Sequence, residues 1–521
     1  MRYRFEILFL TFEFYFVELT DLTITQAHQG LIKKQFSALE LAKAFLDRIK
    51  KRNKKISAFL TVCEDLALFQ AKKIDDLVFQ KRKIPLLAGI PCAIKDNILV
   101  KDIRCTAGSK ILENYTAAYD ATVIKLLKNQ GVIVLGKANL DEFAIGSSGE
   151  YSAFGKTLNP HDLNRVSGGS SSGPAAAVAD NLCVFALGSD TGGSIRLPAS
   201  FCGVVGFKPT YGAVSRFGLM AMASSLDQIG PLARTVENAK IVFEAISKKD
   251  PMDSTSLGTD KRFQVSPGRL LEQPARQASF KFQDLVIGIP REYFVRGIEP
   301  EIEAKILEAI KKFEKMGARI KEIGLSHTKY ALATYYIIMT AEVSANLARY
   351  DGIRFGFSKA NSKIKNFTPT PKFGAGTKIK NLLDVYLQSR GKGFGEEVRR
   401  RIMLGTYVLS RGFYEAYYLK AQKVRTLIRE DFNKAFQKVD IILTPTSPTL
   451  PFRIGEKMKN PLSMYLSDIF MIAVNLAGLP AISIPCGKVK NLPVGLQIIG
   501  KEFQDYKILE VAQALEKTCR I

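Results

Sequence analysis

Apolar residues at Ala38, Leu41, Ala42, Phe45, Leu46 and Ile49 recur at the 3.6-residue spacing of a helix, and Ser37 with Glu40 forms the S-x-x-E pattern of an N-terminal capping box. An amphipathic helix packed on a larger body is expected there. Further along, short apolar runs bounded by turn residues ("GVIVLGK", "LCVFALGS", "LVIGIP", "VDIILTP", "PAISIPCG", "PVGLQIIG") alternate with helical stretches such as Glu303 to Lys315 and Arg411 to Arg429. That alternation predicts an α/β fold, a large mixed and mostly parallel sheet covered by helices on both faces. No internal repeat is visible.

Asp250 to Lys281 and Ser358 to Lys392, rich in Ser, Pro, Gly and basic residues, read as surface insertions. Because strand-like runs continue to "PVGLQIIG", residues 20–521 are read as one domain, with N-terminal helices over about 20–60 and insertions at about 250–281 and 358–392. Residues 1–19 read as an extension of uncertain order: "ILFLTFEFYFV" follows Arg2 and Arg4, but Glu13 interrupts it and no small-residue cleavage site follows. It is also shorter than the roughly 20 apolar residues a bilayer crossing takes. No membrane association is expected.

With 521 residues, 46% of them hydrophobic, the chain can bury a sizeable core. The 75 Lys and Arg outnumber 50 Asp and Glu, a formal charge of +25 that would attract nucleic acid or an acidic partner. Yet the charge is spread, with only short runs at Lys50 to Lys55 and Arg399 to Arg401, so a solvated basic surface explains it equally well. Seven cysteines form no CxxC pair, which points to reduced thiols in a cytoplasmic protein and to no metal site.

The stretch "VSGGSSSGPAAAVADNLCVFALGSDTGGSIRLPASFCGVVGFKP" carries two Gly/Ser clusters around a helix-like and strand-like run, which a flexible spacer would not contain. Pro174 suits a first helical turn and places Ser170, Ser171 and Ser172 at a helix N-terminus. Gly192 and Gly193 before Ser194 let backbone N–H groups from Thr191 to Ser194 converge on one spot, an oxyanion-hole arrangement. "GSSSG" matches the nucleophile-elbow pattern, but the preceding "NPHDLNRV" reads as a loop and only His327 follows as a candidate base. "GVIVLGKA" has the Gly spacing of a phosphate loop but lacks its Ser/Thr, and its intervening residues are strand formers. With three histidines in all, a buried lysine is the better base, and Lys95 at the end of "LLAGIPCAIK" is the candidate.

"AGIPCAIKDNI", "SGGSSSGPAAAVA" and "GSDTGGSIRLPASFCGVVGFKPTYG" together resemble the amidase signature family. The resemblance implies that family's fold and a Ser-Ser-Lys triad: Ser194 as nucleophile, Ser170 as bridging serine on a cis peptide bond, and Lys95 as base. It departs from the usual pattern at Ser172, Pro174 and Leu197. Longer stretches, such as "GFGEEVRRRIMLGTYVLSRGFYEAYYLKAQKVRTLI" and "PLSMYLSDIFMIAVNLAGLPAISIPCG", are similar to the glutamine-hydrolysing members that work with two further amidotransferase subunits, termed B and C, to amidate misacylated tRNA. That likeness implies that Arg401 and Asp468 grip free glutamine with either Tyr335 or Tyr336. It further implies that this chain binds no cofactor, and that ATP, Mg and most tRNA contacts belong to the B subunit. The alternatives are a free-standing amidase acting on a small amide and, from charge alone, a basic RNA-binding protein.

Overall fold

The computed structural model describes residues 18–259, 282–294, 297–354, 356–358 and 381–518. The extension up to residue 17 and the greater part of both expected insertions therefore lie outside the described residues. Described strands in chain order are β1 (Phe59–Val62), β2 (Pro91–Lys95), β3 (Ile133–Ala138), β4 (Leu158–Asn159), β5 (Asp162–Val166), β6 (Phe185–Asp190) and β7 (Val205–Lys208). They continue with β8 (Gln228–Ala233), β9 (Val286–Pro290), β10 (Arg319–Ile323), β11 (Ile441–Pro445), β12 (Ala481–Val489) and β13 (Leu492–Gly500). All six apolar runs singled out in the sequence are strands.

Eleven of these form one sheet in the order β1-β3-β2-β6-β8-β7-β12-β13-β11-β9-β10. The α/β reading and the mixed sheet hold, but "mostly parallel" needs correcting. Only β2 with β3 and β6, and β9 with β10 and β11, run parallel, and every other neighbouring pair is antiparallel. Two of these parallel pairs are consecutive strands joined by a crossover helix, Thr122–Asn129 between β2 and β3 and Pro300–Lys315 between β9 and β10. By contrast β12 and β13 form a hairpin turned at Lys490 and Asn491, both at positive φ. Apolar runs report burial on both faces, which central strands of either direction share.

The helix Ala38–Ile56 starts at Ser37 with both bonds of the capping box, and its six predicted core positions are buried. Other expectations shift. "NPHDLNRV" is not all loop, because β5 pairs with β4 in a separate two-stranded hairpin. Arg411 to Arg429 is not one regular helix: a π-helical turn spans Tyr414–Leu419 before the α-helix Lys420–Ala435. Within the first expected insertion, Asp250 accepts bonds from Ser215 and Thr122, and Asp253 pairs with Arg216 at 2.8 Å, so its beginning is pinned to the body. The end of the second is the helix Leu382–Gly393, which Asn381 caps through Asp384 N–H.

A second apolar core packs the helices Ala331–Leu347, Glu396–Val408, Lys420–Ala435 and Ile469–Ala477. Gly405 makes one crossing possible, since a Cβ there would stand 1.9 Å from the Thr340 carbonyl oxygen. This close approach helps set Arg401 beside Tyr336. No helix among the described residues is long and apolar enough to cross a membrane.

Candidate active site

Lys95 closes β2, where every residue is buried, so the strand carries its amine into the protein. Its Nζ lies 2.8 Å from Ser170 Oγ, 2.9 Å from Ser171 Oγ and 2.9 Å from Ser189 Oγ. Burial pushes the amine down to about 7, against the pull of Asp141, Asp190 and Asp227. A neutral amine has two N–H donors and one lone pair. Ser171 donates to the Ser189 carbonyl, so its oxygen is free to accept from Lys95, and Ser189 offers a second acceptor in its carbonyl at 3.2 Å or in its Oγ, to which Asn97 also donates. The lone pair is then left for the Ser170 hydroxyl. Sequence reasoning missed Ser171, Ser189 and Asn97; the run of three serines and the "KDN" segment were the signals available.

The Gly169–Ser170 peptide bond is cis. Ser170 stands just before the helix Ser172–Ala179, which holds Pro174 in its first turn. Ser194 lies in the turn between β6 and the helix Arg196–Cys202, and Ser171 N–H donates to its carbonyl at 3.0 Å, tying the two serine clusters together. No hydrogen bond joins Ser170 Oγ to Ser194 Oγ. The elbow reading fails on geometry, because neither His327, which bonds Asp431 at 2.9 Å, nor His161, which bonds the Cys202 carbonyl at 2.9 Å, makes a hydrogen bond to a serine of either cluster.

Asp190, at the end of β6, organises the nucleophile turn. Its carboxylate accepts from Gly193 N–H at 2.8 Å, Ile195 N–H at 3.1 Å and Arg196 at 3.0 Å. Burial works against that charge, but the Arg196 guanidinium holds the carboxyl well below the usual range. One expectation changes: Gly193 N–H is engaged by Asp190, which leaves Thr191, Gly192 and Ser194 as the N–H groups of this turn without an internal acceptor among the described residues. Thr191 is itself fixed by its hydroxyl, which donates to Asp227 at 2.6 Å. Gly192 fits under Tyr335, whose hydroxyl oxygen would stand 2.6 Å from a Cβ at that position.

Arg401 is buried on the helix Glu396–Val408, its Nε donating to Glu397 at 2.7 Å and its guanidinium lying 4.5 Å from the Tyr336 ring and 4.3 Å from the Tyr465 ring. Burial opposes its charge, yet Tyr336 and Glu397 keep it above the ordinary arginine value. Its Nη1 is buried without a partner. Asp468, also buried, accepts from the Ser147 hydroxyl, and burial pushes its carboxyl up to about 7. The two tyrosines divide: Tyr335 faces the nucleophile turn at Gly192, while Tyr336 stacks with Tyr465 and covers Arg401. An orphaned guanidinium N–H and a buried carboxyl whose ionised form lacks a cationic partner among the described residues suit a ligand carrying a carboxylate and an ammonium group. Among the described residues no cluster of three or more His, Cys, Asp or Glu is placed to hold a metal ion.

Comparison with known proteins identifies the family. A sequence model of the amidase family matches residues 40–509. The A subunit of glutamyl-tRNA(Gln) amidotransferase from Caldanaerobacter subterraneus subsp. tengcongensis is 52% identical over 503 residues, 96% of this chain and 97% of that protein. The same-named protein of Geobacillus thermodenitrificans is 50% identical over 501 residues, 96% and 98% of the two chains. Among solved structures, the A subunit of glutamyl-tRNA(Gln) amidotransferase from Thermotoga maritima is 43% identical with a TM-score of 0.76, covering 96% of this chain and 95% of its own. A peptide amidase from Stenotrophomonas maltophilia is 26% identical with a TM-score of 0.77, covering 96% and 97%. The chain belongs to the amidase family.

Proposed function

We propose that this chain is the glutaminase subunit of a tRNA-dependent amidotransferase. It hydrolyses glutamine to glutamate and ammonia, and a partner subunit uses that ammonia with ATP to convert Glu-tRNA(Gln) to Gln-tRNA(Gln). The observation that carries this reading is the pairing of a buried lysine–serine cluster with Arg401, whose Nη1 has no partner, and Asp468. Relatives half identical over nearly the whole chain carry the corresponding name. In this reading glutamine places its α-carboxylate on Arg401 and its α-ammonium on Asp468, which aims the side-chain amide at Ser194.

Ser194 Oγ attacks the carboxamide carbon while its proton passes to Ser170, whose own proton passes to neutral Lys95. Thr191, Gly192 and Ser194 N–H groups receive the developing oxyanion, and losing one such donor typically costs about 100- to 1,000-fold in rate. Collapse returns a proton from Lys95 through Ser170 to the leaving nitrogen and releases ammonia. Water then cleaves the glutamyl ester by the same relay. ATP, Mg and most tRNA contacts go to the B subunit, with the C subunit completing the assembly in the cytoplasm; this chain itself holds no cofactor.

The test uses the complex with the B and C subunits. Ser194→Ala abolishes glutamine-dependent amidation of Glu-tRNA(Gln), while added ammonia still supports it. A wild-type chain that neither associates with those two subunits nor hydrolyses glutamine in their presence contradicts the reading.

A further inference from the structure

Asp141 and Glu142 are neighbours in the chain, yet their side chains serve opposite halves of the site. Asp141 accepts from Gly149 N–H at 3.0 Å and Tyr151 N–H at 2.9 Å, and its own N–H donates to the Ser170 carbonyl at 3.3 Å. It packs so tightly on the serine cluster that a Cβ on Gly169 would stand 1.9 Å from Asp141 Oδ2. Glu142 turns the other way. Its carboxylate accepts from the Ser109 hydroxyl and, at 2.8 Å, from Gly395 N–H.

Gly395 is the residue from which the helix Glu396–Val408 starts, and that helix carries Glu397 and Arg401. The attachment is close: a Cβ on Gly395 would stand 2.3 Å from Glu142 Oε2. Ser109 also reaches the Gly393 carbonyl at 3.2 Å. The Phe143 ring meets Phe394 at 5.7 Å and Tyr350 at 4.9 Å between centroids. Phe143 and Ala144 hold φ of 51° and 62°, the left-handed region that side-chain-bearing residues seldom adopt. A buried carboxylate, a tight glycine contact and a strained backbone thus converge on one joint between the serine cluster and the helix of Arg401.

We propose that Glu142 is a positioning residue for glutamine capture: by holding Gly395, it sets the Arg401 helix at a fixed place relative to the segment that supports Ser170. This rests on the glutaminase reading. Glu142 touches neither the reacting atoms nor Arg401, so its effect falls on binding of the amino-acid head and not on the acylation chemistry.

The experiment measures steady-state hydrolysis by the assembled complex with two substrates, glutamine and propionamide, which has no carboxylate for Arg401 to hold. Glu142→Ala raises the glutamine KM about tenfold or more and leaves kcat within about threefold. Glu142→Gln keeps an acceptor for Gly395 N–H and returns KM to within about threefold of wild type. Gly395→Ala, which pushes the same contact apart from the other side, raises the glutamine KM as Glu142→Ala does. The propionamide KM moves with none of them. An unmoved glutamine KM in both Glu142→Ala and Gly395→Ala overturns the proposal, and so does an equal loss on both substrates. A wild-type complex inert toward glutamine overturns the functional reading and this proposal with it, whereas an active one with unmoved variants overturns the proposal alone.

Discussion

Lys95 Nζ stands 2.8 Å from Ser170 Oγ, with its remaining polar neighbours, Ser171 and Ser189, placed as acceptors. The amine end of the relay is therefore built into the fold. The other end, from Ser170 to Ser194, has no hydrogen bond in the structure, and catalytic contacts of this kind commonly tighten only when substrate is bound. Ser171 N–H on the Ser194 carbonyl keeps the two clusters in register for that step.

Asp141 is the strongest of the three carboxylates that raise the Lys95 pKa against the effect of burial. Removing its charge lowers that pKa further, so neutral amine persists to lower pH. Asp141→Asn is predicted to move the acid limb of the kcat profile, measured at saturating glutamine, to lower pH. Profiles of wild type and variant measured from about pH 5.5 to about pH 9 check this, and an upward shift contradicts it.

The glutamine site has its own pH dependence. Burial pushes the Asp468 carboxyl up to about 7, so it is protonated at lower pH and cannot pair with a substrate ammonium. The glutamine KM is predicted to rise as pH falls below that value. Asp468→Asn should raise KM by about tenfold or more at neutral pH and flatten this dependence, and Arg401→Ala should raise KM by a similar or larger factor. An unchanged KM in either variant removes that residue from the substrate site.

Stability beneath β2 depends on a second buried lysine. Lys137 on β3 pairs with Asp96 at 2.9 Å and lies 3.2 Å from Cys105, all out of contact with solvent. Asp96→Ala leaves the ammonium buried without its partner and is predicted to cost about 3 to 5 kcal/mol. Asp96→Asn combined with Lys137→Met removes both charges while keeping an acceptor for the buried Thr106 N–H and hydroxyl, and is predicted to recover much of that loss. Denaturant unfolding of the wild type and the two variants checks the difference, and equal losses for Asp96→Ala and the double variant contradict it.

Much of this was legible in the residues because burial and backbone demands leave local traces. The six apolar runs marked strands, the Ser37–Glu40 pair marked a helix start, and the family motifs directed attention to Lys95, Ser170 and Ser194. Strand direction was not legible, since β12 and β13 look as apolar as the parallel strands yet form a hairpin. Gly193 was grouped with the oxyanion donors because nothing in "DTGGS" says that Asp190 folds back to take its N–H. Ser189 and Glu142 escaped notice because their partners, Lys95 and Gly395, are far away in the chain. Long-range polar contacts of this kind follow from topology, which no local pattern encodes.

The central claim is that a neutral Lys95 draws the proton from Ser194 by way of Ser170. The most direct test is the rate of Ser194 acylation at saturating glutamine, measured by rapid quench in the assembled complex from about pH 5.5 to about pH 9. The account predicts a rate that rises with a single apparent pKa near 7 in the wild type and falls by several orders of magnitude in Lys95→Met. A wild-type rate independent of pH, or acylation that survives in Lys95→Met, would contradict it.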